Sequence, residues 1–120
     1  MVDSFKNLEI WKKANALILE IYKATSIFPK EEQYSLTSQL RRSANSIAGN
    51  IAESQGRYYF ADKIRVIYTA RGELYEVRSY LNTAKDLKYI DLRTYEKLDF
   101  EYENLSKSIS AYINYLQKNR

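Results

Sequence analysis

Residues 39–57 read QLRRSANSIAGNIAESQGR, and this stretch decides the fold. Leu36 just before it, then Leu40, Ala44, Ile47 and Ile51, recur at spacings of three and four residues. That places them on one stripe of a helix running over about residues 33–55. Gly56 is expected to end it in the left-handed conformation that glycine adopts at little cost. Arg41 and Arg42 are neighbours, about 100° apart around a helix, so both cannot point inward. One of them is expected to pair with a carboxylate across the bundle or a subunit boundary, Glu53 or Glu73, as a structural ion pair. Arg57 lies four residues after Glu53, the spacing of an ordinary helix-surface pair. Asn45 and Asn50 are polar positions able to bond across helices. Nothing in the stretch has the form of a catalytic or ligand-binding motif.

The same periodicity extends outward on both sides. Ile10, Ala14, Leu17, Ile21, Ala24 and Phe28 form one stripe of a first helix, which Phe28-Pro29 stops because proline disfavours helical geometry at the residue before it. A third helix over about residues 59–87 is expected to bury Phe60, Ile67, Ala70, Leu74, Val77, Leu81 and Ala84. Gly72 falls on its outer side and weakens it by about 1 kcal/mol relative to alanine. Asp91 is a candidate N-cap for a fourth helix, along which Tyr95, Leu98, Tyr102, Leu105, Ile109, Tyr112 and Leu116 form a heptad-type seam. Short connections between long amphipathic helices predict an all-α, antiparallel up-down-up-down four-helix bundle. No period-two alternation supports strands, and no repeat or second domain interrupts the 120 residues.

Composition narrows the chemistry. The chain has no His and no Cys, which removes an imidazole base, a thiolate nucleophile, disulfides, and nitrogen or sulfur ligands for zinc. No acidic loop with calcium or magnesium spacing is present, so no metal and no cofactor are expected. Glu73 and Glu76 share a helix face but lack a partner base or a glycine-rich pocket loop, so no catalytic residue is expected and the protein is read as a non-enzyme. No apolar run is long enough to cross a bilayer, and the opening residues lack the core of a secretory signal, so a soluble cytoplasmic protein without a membrane partner is expected. The net charge is +4 and the isoelectric point about 9.2. From residue 38 to 85 there are eight basic residues against four acidic, whereas from 91 to 106 there are two against five. The middle of the chain is basic and the last helix begins acidic.

Several segments together resemble a known family. Phe5-Lys6-Asn7-Leu8, Ile10-Trp11-Lys12-Lys13-Ala14, Phe28-Pro29 with Glu32, Tyr34 and Leu36, then Gln39-Leu40-Arg41-Arg42 and Asn50-Ile51-Ala52-Glu53 with Gly56-Arg57 follow its pattern. Glu73-Leu74 and Leu87-Lys88-Tyr89-Ile90 continue it in register. The chain thus resembles the small four-helix bundle proteins first noticed as reading frames in intervening sequences of bacterial 23S rRNA genes. Ala48-Gly49, Ser35 and Ser54 depart from that pattern where proline and glycines are frequent, and Tyr58-Tyr59 replaces smaller polar residues. The resemblance implies a non-enzymatic bundle assembling as a ring, typically a homopentamer. It also implies kinship with the accessory protein of diversity-generating retroelements, which binds nucleic acid and a reverse transcriptase. By that analogy RNA or DNA, and a protein such as a reverse transcriptase, are candidate partners.

The candidate binding residues come from a second stripe on the third helix: Ile64, Tyr68, Arg71, Tyr75, Arg78, Asn82 and Lys85. Arginine can pair with phosphate and tyrosine can stack on an unpaired base. The same residue types suit a subunit interface, and they also suit a plain core margin, with arginine stems lying along tyrosine rings. All three readings stay open for Tyr68, Arg71, Tyr75, Arg78 and Lys85; Arg41, Arg42, Arg57 and Arg65 are further candidates for nucleic-acid binding or a subunit interface. The twelve tyrosines exceed what one small core can use, which favours a homo-oligomer. The expectation is an oligomeric RNA- or DNA-binding accessory protein; the alternative is an oligomeric protein-interaction scaffold that binds no nucleic acid.

Overall fold

Four helices account for most of the residues that the computed structural model describes, 5–119: α1 Glu9–Thr25, α2 Leu36–Gln55, α3 Phe60–Asp86 and α4 Leu92–Lys118. Two short 3-10 turns, Phe5–Asn7 and Lys30–Glu32, precede α1 and α2. Residues 1–4, part of the opening stretch considered above, lie outside the described residues, as does residue 120. The molecule measures 45 × 22 × 22 Å. A width of two helix diameters, and a length close to the roughly 40 Å of a 27-residue helix, fit a four-membered bundle. Each helix packs on its chain neighbours and α1 closes the ring against α4, giving the expected up-down-up-down order. No strand occurs among the described residues.

One continuous core fills the centre. Ile21, Leu40, Ile47, Ile51, Ile67, Leu74, Leu81, Tyr102, Leu105 and Ile109 are fully buried and come from all four helices. The core periodicity is as expected, with local corrections. Ala24 is only half-buried while Thr25 is buried, its hydroxyl donating to the Ile21 carbonyl at 2.8 Å. Phe60 and Tyr112 are half-buried at the bundle end, and Ile113 takes the inward place beside Tyr112. Ile64, assigned to the outer stripe, is buried because α3 turns that position toward the core near its start. The α2–α3 contact is the most extensive in the bundle. Two serines on α2, Ser43 and Ser54, are completely buried; the Ser43 hydroxyl donates to Glu76 of α3 at 3.3 Å.

The helix ends show where local chemistry departed from expectation. The second helix starts at Leu36, not 33, because residues 30–32 take the tighter turn after Pro29; Glu32 Oε1 then accepts the Leu36 N–H at 3.2 Å. Gly56 does terminate α2, but with φ −88°, so the left-handed conformation is not used. Its N–H instead closes a tight turn on the Glu53 carbonyl at 2.9 Å. The left-handed residue is Lys88, with φ 65°. There Tyr89 N–H reaches the Ala84 carbonyl and Lys88 N–H that of Lys85, both at 2.9 Å, the paired bonds of a Schellman ending. Asp91 caps α4 as predicted, accepting the Thr94 N–H at 2.7 Å. Hydrogen bonds from the Thr94 side chain and backbone hold the Asp91 carboxyl below its usual range.

Candidate nucleic-acid interface

The α3 stripe faces the seam with α4, and each of its cations lies over an aromatic ring. Arg71 sits 4.8 Å from the centre of the Tyr68 ring, Arg78 5.7 Å from that of Tyr75, and Lys85 4.7 Å from that of Tyr95 on α4. Arg71, Arg78 and Lys85 are spaced seven residues apart, so the three couples climb the seam in steps of about 10 Å. Tyr68 and Tyr75 remain exposed beside the guanidinium groups. Such couples are attractive in themselves, and an exposed tyrosine ring is a surface on which a base can stack.

The three rungs differ in charge. Arg78 is gripped by Asp99: its Nε donates to Oδ1 at 2.8 Å and its Nη2 to Oδ2 at 3.1 Å, with both side chains about three-quarters buried. That grip raises the Arg78 pKa and neutralises the middle rung. Arg71 instead donates to the neutral Ser110 hydroxyl at 2.9 Å, so its charge is not balanced there. Lys85 donates to Asn82 Oδ1 at 3.0 Å and lies 3.5 Å from Asp86. The Tyr75 hydroxyl accepts from Ser106 at 3.4 Å, tying the middle ring to α4.

The other candidate arginines lie elsewhere. On α2, Arg41 points toward α1, where its Nε donates to Thr25 Oγ1 at 2.8 Å and its guanidinium covers the Tyr22 ring at 4.5 Å. Its neighbour Arg42 points the other way, 3.7 Å from Glu73 and 3.3 Å from Glu76 on α3. The expected cross-bundle ion pair is therefore made by Arg42, with Glu73 as one of its two partners. The second oxygen of Glu73 is buried without a hydrogen-bond partner among the described residues. Arg57 pairs with Glu53 as anticipated, which raises its pKa, and Arg65 lies 4.0 Å from Asp62 on an exposed face. Asn45 does bond across helices, to the Tyr22 hydroxyl at 3.2 Å, whereas Asn50 bonds only within α2. Arg41, Arg42, Arg57 and Arg65 thus do not join the seam.

A further set of cations is assembled only by the fold. Lys23, Lys88, Arg93 and Lys97 gather with Lys85 around a cleft where α1 ends and α4 begins. They belong to three separate segments, so no single periodic stripe revealed them; the i, i+4 spacing of Arg93 and Lys97 was the one local signal. Among the described residues no group of acidic, His or Cys side chains could hold a metal ion, and no helix is long and apolar enough to cross a membrane.

Fold and seam together define a compact all-α bundle that displays ring–cation couples along one interhelical seam. The sequence matches the 23S rRNA-intervening sequence proteins over residues 6–111, and the chain belongs to that family. Among solved structures it is similar to a protein of unknown function from the S23 ribosomal protein family of Bacteroides thetaiotaomicron. The identity is 22% and the TM-score 0.80, over 88% of this chain and 95% of that one. At that identity the likeness speaks for the fold. No curated protein matches the sequence.

Proposed function

We propose that this protein is a non-enzymatic, homo-oligomeric accessory protein that binds RNA or DNA along the α3–α4 seam. The observation that carries this reading is the row of three ring–cation couples, Tyr68/Arg71, Tyr75/Arg78 and Tyr95/Lys85. A single strand offers phosphates to the cations and bases to the open tyrosine faces, without demanding a particular sequence. The family's association with intervening sequences of 23S rRNA is consistent with a nucleic-acid partner. Self-assembly is supported by surface composition: seven of the twelve tyrosines are exposed, as are Leu19, Ile27, Leu92 and Phe100. A ring of five, as the family resemblance implies, would cover part of that apolar surface.

A scaffold without nucleic-acid binding is the second reading, favoured by the Arg78–Asp99 pair, which turns one cation of the row inward. Anisotropy titrations with single-stranded and duplex RNA and DNA at several salt concentrations separate the two. Arg71→Ala should lower the log–log salt slope by about 0.7 on a single strand or 0.9 on a duplex. Absence of binding by the unaltered protein at low salt would leave the scaffold. Light scattering should return a multiple of 14.2 kDa; a mass equal to one chain would overturn the oligomer.

A further inference from the structure

The cleft at the α1–α4 end has a volume of about 850 Å³. That lies within the range of sites that enclose a small organic ligand. Five cations line it, Lys23, Lys85, Lys88, Arg93 and Lys97, against two carboxylates, Glu20 and Asp91. Asp91 is already engaged as the cap of α4, accepting the Thr94 N–H. The ammonium groups of Lys23, Lys88 and Lys97 meet no carboxylate within ion-pair distance among the described residues. The floor is apolar: Ala24, Ile90 and Leu98 lie within it, while Ile27 and Leu92 stand exposed at its rim. Lys88 holds φ 65° at the turn, a conformation that favours glycine or asparagine.

Such a site matches a ligand with a doubly charged phosphate on one side and a flat apolar group on the other. Lys85 belongs both to this cleft and to the upper couple of the seam, so a strand laid along the seam runs toward it. We infer that the cleft receives the phosphorylated terminus of a single strand, with the terminal phosphate monoester among Lys23, Lys88 and Lys97 and the last base against Ile27, Ile90 and Leu92. A monoester carries about −1.5 to −2 charges at neutral pH, more than the single charge of an internal diester. A concentrated cluster of cations therefore distinguishes an end from an interior. This inference rests on the nucleic-acid reading, and the shared chemistry, a nucleoside phosphate, could also arrive as a free nucleotide.

The test uses the unaltered full-length protein and one labelled single strand in four forms: 5′-phosphorylated, 3′-phosphorylated, hydroxyl at both ends, and circularised. One phosphorylated form should bind about tenfold tighter than the hydroxyl form, the return of one further charge-assisted hydrogen bond. That preference should fade as pH falls through the second phosphate ionisation near about 6. Lys88→Gln with Lys97→Gln should abolish the preference while the circular strand binds as before; Lys97→Gln alone, on α4 and outside the 87–91 turn, should weaken it. Equal binding of all four forms overturns the inference and leaves the proposed function standing. Loss of circular-strand binding in the folded double variant also overturns it, because the lysines then serve the strand at large. A free nucleoside monophosphate competing as well as the phosphorylated strand would overturn the strand-end assignment. No binding of any form removes the nucleic-acid reading itself.

Discussion

Asp99→Asn tests the seam from the side of the residue that silences it. The carboxylate holds Arg78 through two hydrogen bonds, of 2.8 and 3.1 Å, in a setting about three-quarters removed from solvent. Exposed ion pairs contribute at most about 1 kcal/mol, and breaking a fully buried one costs about 3–5. Asparagine keeps the shape and one acceptor, so the loss should lie near the lower figure, about 1–2 kcal/mol. A 120-residue domain unfolds with an entropy near 0.25 kcal/mol/K, which converts that loss to about 4–8 °C in Tm. Calorimetry at fixed protomer concentration reads it, because an oligomer's Tm moves with concentration. The second consequence has the opposite sign. Arg78 released from Asp99 adds a net charge to the seam; if the seam binds a strand as proposed, single-strand binding should tighten at low salt and the salt slope should steepen by about 0.7. A lowered Tm with unchanged slope and affinity would refute the seam as a nucleic-acid surface. An unchanged Tm would refute the Arg78–Asp99 pair as a tie between α3 and α4.

Leu105 is fully buried at the centre of the α4 seam, and Leu105→Ala should cost about 2–5 kcal/mol in denaturant unfolding; a change of a few tenths would mean that the site collapses freely or faces outward. The Tyr102 hydroxyl is buried without a partner among the described residues, and burial raises its pKa, so Tyr102→Phe should leave stability unchanged or raise it by about 1 kcal/mol, whereas a clear loss would reveal a bond to that hydroxyl. At Gly72, mid-helix in α3, an added Cβ meets nothing within 4 Å, so Gly72→Ala should stabilise the isolated fold by about 1 kcal/mol; destabilisation accompanied by a smaller mass in light scattering would place that face in a subunit contact.

The parts of the fold legible in the sequence were those set by periodicity within one helix. Leu40, Ala44, Ile47 and Ile51, or Leu98, Tyr102, Leu105 and Ile109, share a stripe whatever surrounds them, because the 3.6-residue repeat alone decides it. Asp91 was legible for the same local reason, since its side chain reaches a backbone N–H three residues on. Helix endings were less so. A glycine at position 56 suggested the left-handed cap, yet the residue that adopts it is Lys88, which no propensity marks for that role. There the Schellman bonds and the burial of Ile90 beyond them hold the turn closed, and tertiary packing overrides local preference.

The candidate site was legible as a stripe but not as a charge distribution, and the difference follows from register between helices. Arg78 and Asp99 are 21 residues apart, and Arg71 and Ser110 are 39; which of them meet depends on how the 87–91 turn aligns α3 with α4. Before that alignment is known, the basic middle and the acidic start of the last helix look like two separate surfaces. In the folded chain they face each other, so Asp99 cancels Arg78, while on the other side of α3 Glu73 and Glu76 engage Arg42. Much of the mid-chain excess of arginine is thus spent inside the bundle. Of the eight mid-chain cations, Arg41, Lys63 and Arg71 meet no carboxylate, and of these Arg71 stands on the seam; Lys23, Lys88 and Lys97 at the α1–α4 end are likewise unpaired. A salt slope measured on this protein should therefore reflect a few phosphate contacts rather than the eight cations counted between residues 38 and 85. Binding of that kind gains its strength from stacking on Tyr68 and Tyr75 as much as from charge, so it should keep a larger share of its affinity at physiological salt than a uniformly basic surface would.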